Sequence, residues 1–227
     1  MKGIVAGWQR RRARQRAAVV KFNLGVAHAH GEGVPQNYAE AAHWFRKAAE
    51  QDEPASQFNL GLLCEEGRGV PQNYVEAASW YYKAAKQGNA GAQHNLGLMY
   101  EEGRGVPQNY VEAASWYHKA AKQGNAGAQH NLGLMYEEGK GVLRDYLAAA
   151  RWYRKAAEQN EAAAQFNFGL LYKQGNGVRQ DDREALKWLR RAAEQGFSRS
   201  QILLGFMYSH GEGVPQDKTE ALKWYAG

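Results

Sequence analysis

"LGLMYEEGRGVPQNY" fills residues 96–110, with "LGLLCEEGRGVPQNY" at 60–74 before it and "LGLMYEEGKGVLRDY" at 132–146 after it. An active site needs its special residues once, so text written again and again marks the repeated unit itself as the building block. The glycine of the Leu-Gly or Phe-Gly pair stands at Gly25, Gly61, Gly97, Gly133, Gly169 and Gly205, each step being 36 residues. Tryptophan keeps the same step at Trp44, Trp80, Trp116, Trp152, Trp188 and Trp224. So does the second glycine of each Gly-x-Gly, from Gly33 to Gly213, always followed by valine. Three markers hold phase over six units without an insertion.

Within a unit the pattern predicts two helices. The first runs over about 90–102, with Leu96 and Tyr100 four apart on one face, and stops at Gly103, because glycine readily takes the left-handed conformation of a helix end. Asn109 is the expected N-cap of the second, and Glu112 three residues on completes a capping box. Asn37/Glu40, Asn73/Glu76, Asp181/Glu184 and Asp217/Glu220 repeat the arrangement, whereas Asp145 has Ala148. The second helix carries Ala113, Trp116, Tyr117, Ala120 and Ala121, then stops at Gly124. Gly97 inside a helix costs roughly 1 kcal/mol relative to alanine. Its recurrence implies that a neighbouring helix comes too close there for a β-carbon. One such pair cannot bury its apolar face, but stacked pairs can, so the expected fold is an all-α superhelical solenoid.

Composition narrows the function. With 44% hydrophobic and 23% charged residues the chain has a globular balance. No apolar run is long enough to span a membrane, and the short Ile4-Val5-Ala6 stretch is too brief for a signal-peptide core. The single cysteine, Cys64, excludes an intramolecular disulfide and fits a reducing, cytoplasmic setting. The net charge of +6 lies entirely in residues 1–16, which hold Lys2, Arg10, Arg11, Arg12, Arg14 and Arg16 and no acid. The rest of the chain is balanced.

The stretch "AQHNLGLMYEEGRGVPQNYVEAASWYHKAAKQG" resembles the Sel1-like repeat family, a branch of the tetratricopeptide-repeat superfamily, over residues 17–227. Its unit of 36 residues and its Gly-x-Gly-Val loop are the distinguishing marks. His28 and Cys64 stand where tyrosine is usual, and Leu143-Arg144 and Arg179-Gln180 replace Pro-Gln. The resemblance implies a right-handed α/α superhelix and a non-enzymatic adaptor or scaffold for protein complexes, with no cofactor. The units then fall at 17–52, 53–88, 89–124, 125–160, 161–196 and 197–227, the last cut short in its second helix. Residues 1–16 form a basic partial repeat or capping helix, because Trp8 keeps the tryptophan register while Gln9 and Arg12 replace apolar residues.

The chemical alternatives are weaker. Gly-Arg-Gly-Val lacks the spacing and the following lysine of a phosphate loop. His28 and His30 sit two apart and so face apart on a helix, and no nucleophile with a histidine–carboxylate relay is evident, so no catalytic or metal site is expected. The Trp-Tyr pairs read as core rather than as a base-stacking platform. An arginine arm gripping RNA or an anionic surface is the alternative function. Nucleic acid is otherwise disfavoured, because the central units are nearly identical and acidic.

In tetratricopeptide-type arrays the first helices line the ligand groove. Carried over by register, that face comprises Phe58, Asn59, Leu62, Glu65 and Glu66; His94, Asn95, Leu98, Glu101 and Glu102; His130, Asn131, Leu134, Glu137 and Glu138; and Phe166, Asn167 and Leu170. The asparagines suit either an extended backbone ligand or a hydrogen bond between neighbouring helices, and both readings stay open. The glutamates form an acidic ladder, which favours a basic extended segment of a partner protein. The incomplete last unit allows end-to-end self-association.

Overall fold

The computed structural model describes residues 2–226, with side chains from residue 12 onward. Among the described residues there are twelve helices and no strand. They are α1 (Lys2–His30), α2 (Tyr38–Ala49), α3 (Pro54–Glu66), α4 (Tyr74–Lys86), α5 (Ala90–Glu102), α6 (Tyr110–Lys122), α7 (Ala126–Glu138), α8 (Tyr146–Glu158), α9 (Ala162–Gln174), α10 (Asp182–Glu194), α11 (Ser198–His210) and α12 (Lys218–Ala226). Odd and even helices alternate as first and second members of a 36-residue unit, as the spacing predicts. The chain gathers into two compact units, Met1–Trp116 and Tyr117–Gly227.

The basic arm is helical and runs without a break into the first helix of repeat 1, so α1 has 29 residues. Arg14 donates to the carbonyl of Glu50 at the C-terminal end of α2 (3.3 Å), where a cation is favoured by the helix dipole. The role expected for Trp8 falls on a side chain outside the described ones.

Local chemistry explains the turns. Gly67 ends α3 at φ 70°, and Gly69 lies so close to the backbone of Tyr38 in the preceding repeat that no β-carbon fits. The N-cap expectation holds: Asn109 Oδ1 accepts from the backbone N–H of Val111 and Glu112. The reciprocal half of the capping box does not form. The N–H of Asn109 donates instead to the carbonyl of Tyr100 (2.8 Å), and Asn73, Asp145, Asp181 and Asp217 make the same bond to residues 64, 136, 172 and 208. With that donor engaged, the box glutamate is released for other work, and Asp145 caps its helix without one.

Packing follows from small residues facing large ones. In the first unit Leu60, Leu63, Tyr81, Leu96 and Met99 pack with the paired alanines Ala77, Ala78, Ala84 and Ala85. In the second, Tyr153, Phe168, Leu171 and Trp188 do so with Ala149, Ala150, Ala156 and Ala157. Trp80 and Trp188 are buried, and Lys83 covers the Trp80 ring at 3.9 Å, so these rings belong to the core. A row of buried glutamines ties repeats together. Gln57, Gln93, Gln129 and Gln165 donate to the carbonyls of Ala49, Ala85, Ala121 and Ala157 on the preceding second helix. Gln57, Gln129 and Gln165 also accept from Gln87, Gln159 and Gln195. Both ends of these amides are satisfied, which removes the penalty of burying them.

The in-helix glycine has the expected cause. A β-carbon on Gly61 would stand 2.7 Å from the Tyr81 ring, and one on Gly133 2.5 Å from the Tyr153 ring. Alanine at either site gains roughly 1 kcal/mol of helix propensity but overpacks a core at a cost of about 1–3 kcal/mol. Because the Tyr153 ring is fully buried and cannot retreat, overpacking outweighs the propensity gain and Gly133→Ala is expected to lower stability by about 1–2 kcal/mol. In denaturant titrations, adding Tyr153→Ala should cost less in the Gly133→Ala background than in the wild type.

The candidate binding face of the first helices

In the first unit, α3 carries Phe58, Asn59, Leu62, Glu65 and Glu66, and α5 carries His94, Asn95, Leu98, Glu101 and Glu102. All are half-buried except the exposed Glu66 and Glu102. In the second unit, α7 carries His130, Asn131, Leu134, Glu137 and Glu138, and α9 carries Phe166, Asn167 and Leu170, all half-buried except the exposed Glu138. The residues read from sequence therefore share one half-open stripe within each unit. The ring at the first position rests on a buried aromatic beneath it: Phe58 on Tyr81 at 5.9 Å and His130 on Tyr153 at 5.8 Å. Burial lowers the pKa of His130, so the neutral imidazole takes the place that phenylalanine has elsewhere.

Two residues of this stripe escaped the sequence reading. Ile202 and Phe206 on α11 are 62% and 40% exposed, and they stand one 36-residue step beyond Phe166 and Leu170. The step alone would have found them.

Beneath the stripe lies a polar network. Tyr81 Oη donates to Glu65 (2.6 Å), and Tyr153 Oη donates to Glu137 (2.5 Å). Asn95 hydrogen-bonds the Tyr81 hydroxyl from the next repeat, and Asn167 does the same to Tyr153. Asn59 follows a repeat whose ring is Phe45, without a hydroxyl, and turns back to the carbonyl of Ala55 on its own helix. Sequence register tells the same story. Tyr81 and Tyr153 pair with Glu65 and Glu137, whereas Phe45 and Leu189 stand opposite Ala29 and Lys173. The first glutamate of Glu-Glu-Gly accompanies the buried hydroxyl.

The second glutamate is also engaged. Glu66 pairs with Arg68 (3.0 Å) and Glu138 with Lys140 (2.6 Å), each across its own Gly-x-Gly loop. Arg104 pairs with Glu102 and reaches Glu65 in the preceding repeat (3.3 Å). The ladder is thus acidic in sequence but largely compensated in space. Burial and the coulombic effect of Glu76 raise the Cys64 thiol to about 11, so it carries little thiolate at neutral pH. Among the described residues, no three histidines, cysteines or carboxylates stand together as metal ligands, and no helix is long and apolar enough to cross a membrane.

Burial, reinforced by the neighbouring carboxylate, raises the pKa of both Tyr81 and Tyr153. The folded state therefore keeps protons that the unfolded chain loses near pH 10. This stabilisation is complete below about pH 10 and lost as pH rises above it. Tyr81→Phe with Tyr153→Phe should cost about 1–2 kcal/mol per site at neutral pH, each leaving a part-buried carboxylate without its donor. The same pair should flatten the fall in melting temperature at alkaline pH, read by circular dichroism.

The Sel1 repeat profile matches the chain six times in succession, at residues 19–53, 54–89, 90–125, 126–161, 162–197 and 198–226. No curated protein sequence matches it. Among solved structures, the chain is similar to a protective antigen of uropathogenic Escherichia coli displaying an SLR fold, with 39% identity over 97% of this chain and a TM-score of 0.87. It spans 47% of that antigen's length. A Sel1 repeat protein from Oxalobacter formigenes is 35% identical over 93% of this chain and 85% of its own, with a TM-score of 0.84. An immunity protein of Pseudomonas aeruginosa, 20% identical over 92% of this chain and 80% of its own with a TM-score of 0.55, shares the fold alone. Six consecutive repeats of matching length, each a helix pair closed by the Gly-x-Gly loop, leave one conclusion: the chain belongs to the Sel1 repeat family.

Proposed function

We propose that this chain is a non-enzymatic scaffold that receives an extended segment of a partner protein along the face of its first helices. Sel1 repeat proteins generally mediate contacts between proteins. The observation that carries the finer reading is the apolar stripe. In the second unit, Leu134, Phe166, Leu170, Ile202 and Phe206 occupy two positions per repeat and keep part of their surface open. Regular apolar side chains at fixed spacing suit a polypeptide that offers anchors at intervals, and such anchors supply most binding energy at interfaces.

Charge has a smaller part in this reading than the bare sequence implies. Each glutamate of the ladder that is traced above is committed to a tyrosine or a nearby cation, so a basic segment gains less from it than from open carboxylates. Steering remains at Glu66, Glu102 and Glu138, whose ion pairs are exposed and worth little individually. The alternative use of the arm for RNA rests on its charge, while the Arg14 contact with α2 supports a capping role.

Ile202→Ser with Phe206→Ser should leave a folded array with only a modestly lower melting temperature, because both side chains lie at the surface and Phe206 loses its stacking on His210 at 4.1 Å. The double variant, compared with the wild type in affinity capture and then in calorimetry with the captured protein, should lose about tenfold or more in affinity. Glu102→Gln with Glu138→Gln should change affinity less than about threefold and mainly alter its salt dependence. A partner indifferent to the apolar double variant would refute the stripe as its binding face.

A further inference from the structure

The second unit contains a cleft of about 710 Å³ on the other side of α9. Its floor is Tyr136, Trp152, Phe168 and Tyr172. Residues two apart on a helix point to opposite sides, so Phe168 and Tyr172 face away from Phe166 and Leu170 and this cleft is separate from the stripe.

The cleft exists because the repeat text changes there. In repeat 2, Glu76 accepts from Trp80 Nε1 (3.2 Å) and pairs with Arg46 (2.8 Å), closing the matching corner. Repeat 4 has Ala148 at that register and offers no carboxylate. Position 82 is a tyrosine whose ring lies edge-on against Trp116 at 6.0 Å. Its counterpart in repeat 4 is Arg154, which extends along its own helix to Glu158 (3.0 Å) instead of covering a neighbour. Arg151 replaces Ser79 and Ser115, and Phe168 replaces the leucine of Leu60, Leu96, Leu132 and Leu204. Ala148 and Phe168 occur at their registers only here, whereas Arg46 and Arg190 share the register of Arg154, and Lys187 and Lys223 that of Arg151, so only here do a missing carboxylate, a phenylalanine and two arginines meet in one cavity.

Their combined effect is an aromatic floor under a cationic rim. Arg151, Arg154 and Lys155 line the mouth against a single carboxylate, Glu158, which Arg154 already engages. Arg151 has no ion-pair partner among the described residues. Lys155 Nζ lies 4.5 Å from the Trp152 ring centre, at the opening. A volume within the range of about 300–1,000 Å³ typical of ligand sites admits one or two bulky side chains. We propose that this cleft is a second docking site, for an acidic polypeptide segment that inserts an aromatic or branched apolar side chain and places carboxylates on Arg151 and Lys155. The chain would then hold two protein partners of different chemistry, one on each side of the helix layer.

The test uses the full chain and three short fluorescein-labelled peptides, read by anisotropy. One has Asp and Glu flanking a central Phe and Leu, the second has Lys and Arg in place of the acids, and the third has Ser in place of Phe and Leu. The first should bind about tenfold or more tighter than the other two. Ala148→Glu restores the carboxylate of the other repeats and should weaken that peptide about tenfold with no loss of melting temperature. Arg151→Glu, at an exposed site, should do the same and keeps the test open if Ala148→Glu folds poorly. Ile202→Ser with Phe206→Ser should leave this binding unchanged, separating it from the stripe. Equal binding of all three peptides, or an acidic peptide indifferent to both substitutions in folded protein, would overturn the proposal. So would a labelled oligouridine that binds tighter than the acidic peptide and is lost with Arg151→Glu, because the cleft would then be a nucleic-acid site.

Discussion

A large side chain pressed against a glycine backbone, an aromatic ring at Gly25, Gly61, Gly133 and Gly205 and Leu189 at Gly169, is the contact on which the rest of the repeat depends. Where Tyr81 meets Gly61 and Tyr153 meets Gly133, the two helices of a pair approach more closely than a β-carbon permits. That approach buries the ring completely and leaves only its hydroxyl to be satisfied. Glu65 and Glu137 accept from it, and the asparagine of the following repeat adds a second bond. One steric fact thus fixes the glycine, the glutamate and the asparagine of the unit. A buried hydroxyl without a partner costs about 1–3 kcal/mol, so these residues stabilise one another.

Between repeats the connection is polar and equally closed. The buried glutamine, Gln57 after serine and Gln165 after alanine, reaches back to the last turn of the preceding helix and accepts from a glutamine at the end of its own pair. The Gly-x-Gly loop leans on the backbone of the preceding second helix. Each repeat is therefore stabilised by its neighbours, the nearest-neighbour pattern from which solenoids draw their stability.

Function in such a chain has to be sought where repetition leaves surface open or where it fails. The stripe of Phe166, Leu170, Ile202 and Phe206 is the first kind of place: the same register each time, with outer edges that no element of the described chain covers fully. The cleft around Ala148 and Arg151 is the second kind. Loss of one carboxylate, with arginine and phenylalanine in place of serine and leucine, turns this corner into a cationic recess, because its floor becomes more aromatic while its polar lid is removed.

The period, the helix pairs, the glycine contacts and the N-caps were all legible in the sequence, because each depends on residues a fixed number of positions apart. The side of the first helices that carries Phe58, Leu98 and Leu134 was legible for the same reason. What sequence could not show was the spatial occupation of the polar residues. Glu65 and Glu137 look like open charges in a string of letters, yet they lie against tyrosines 16 residues away. Asn95 and Asn167 look like a ladder for a ligand, yet they reach the ring of the repeat before. The capping box failed likewise, since the donor it needs is taken by a carbonyl nine residues earlier, as Asn109 shows with Tyr100. Periodicity determines which face is buried, but a hydrogen bond is awarded by distance and angle among competing partners, and only the packed helices set those.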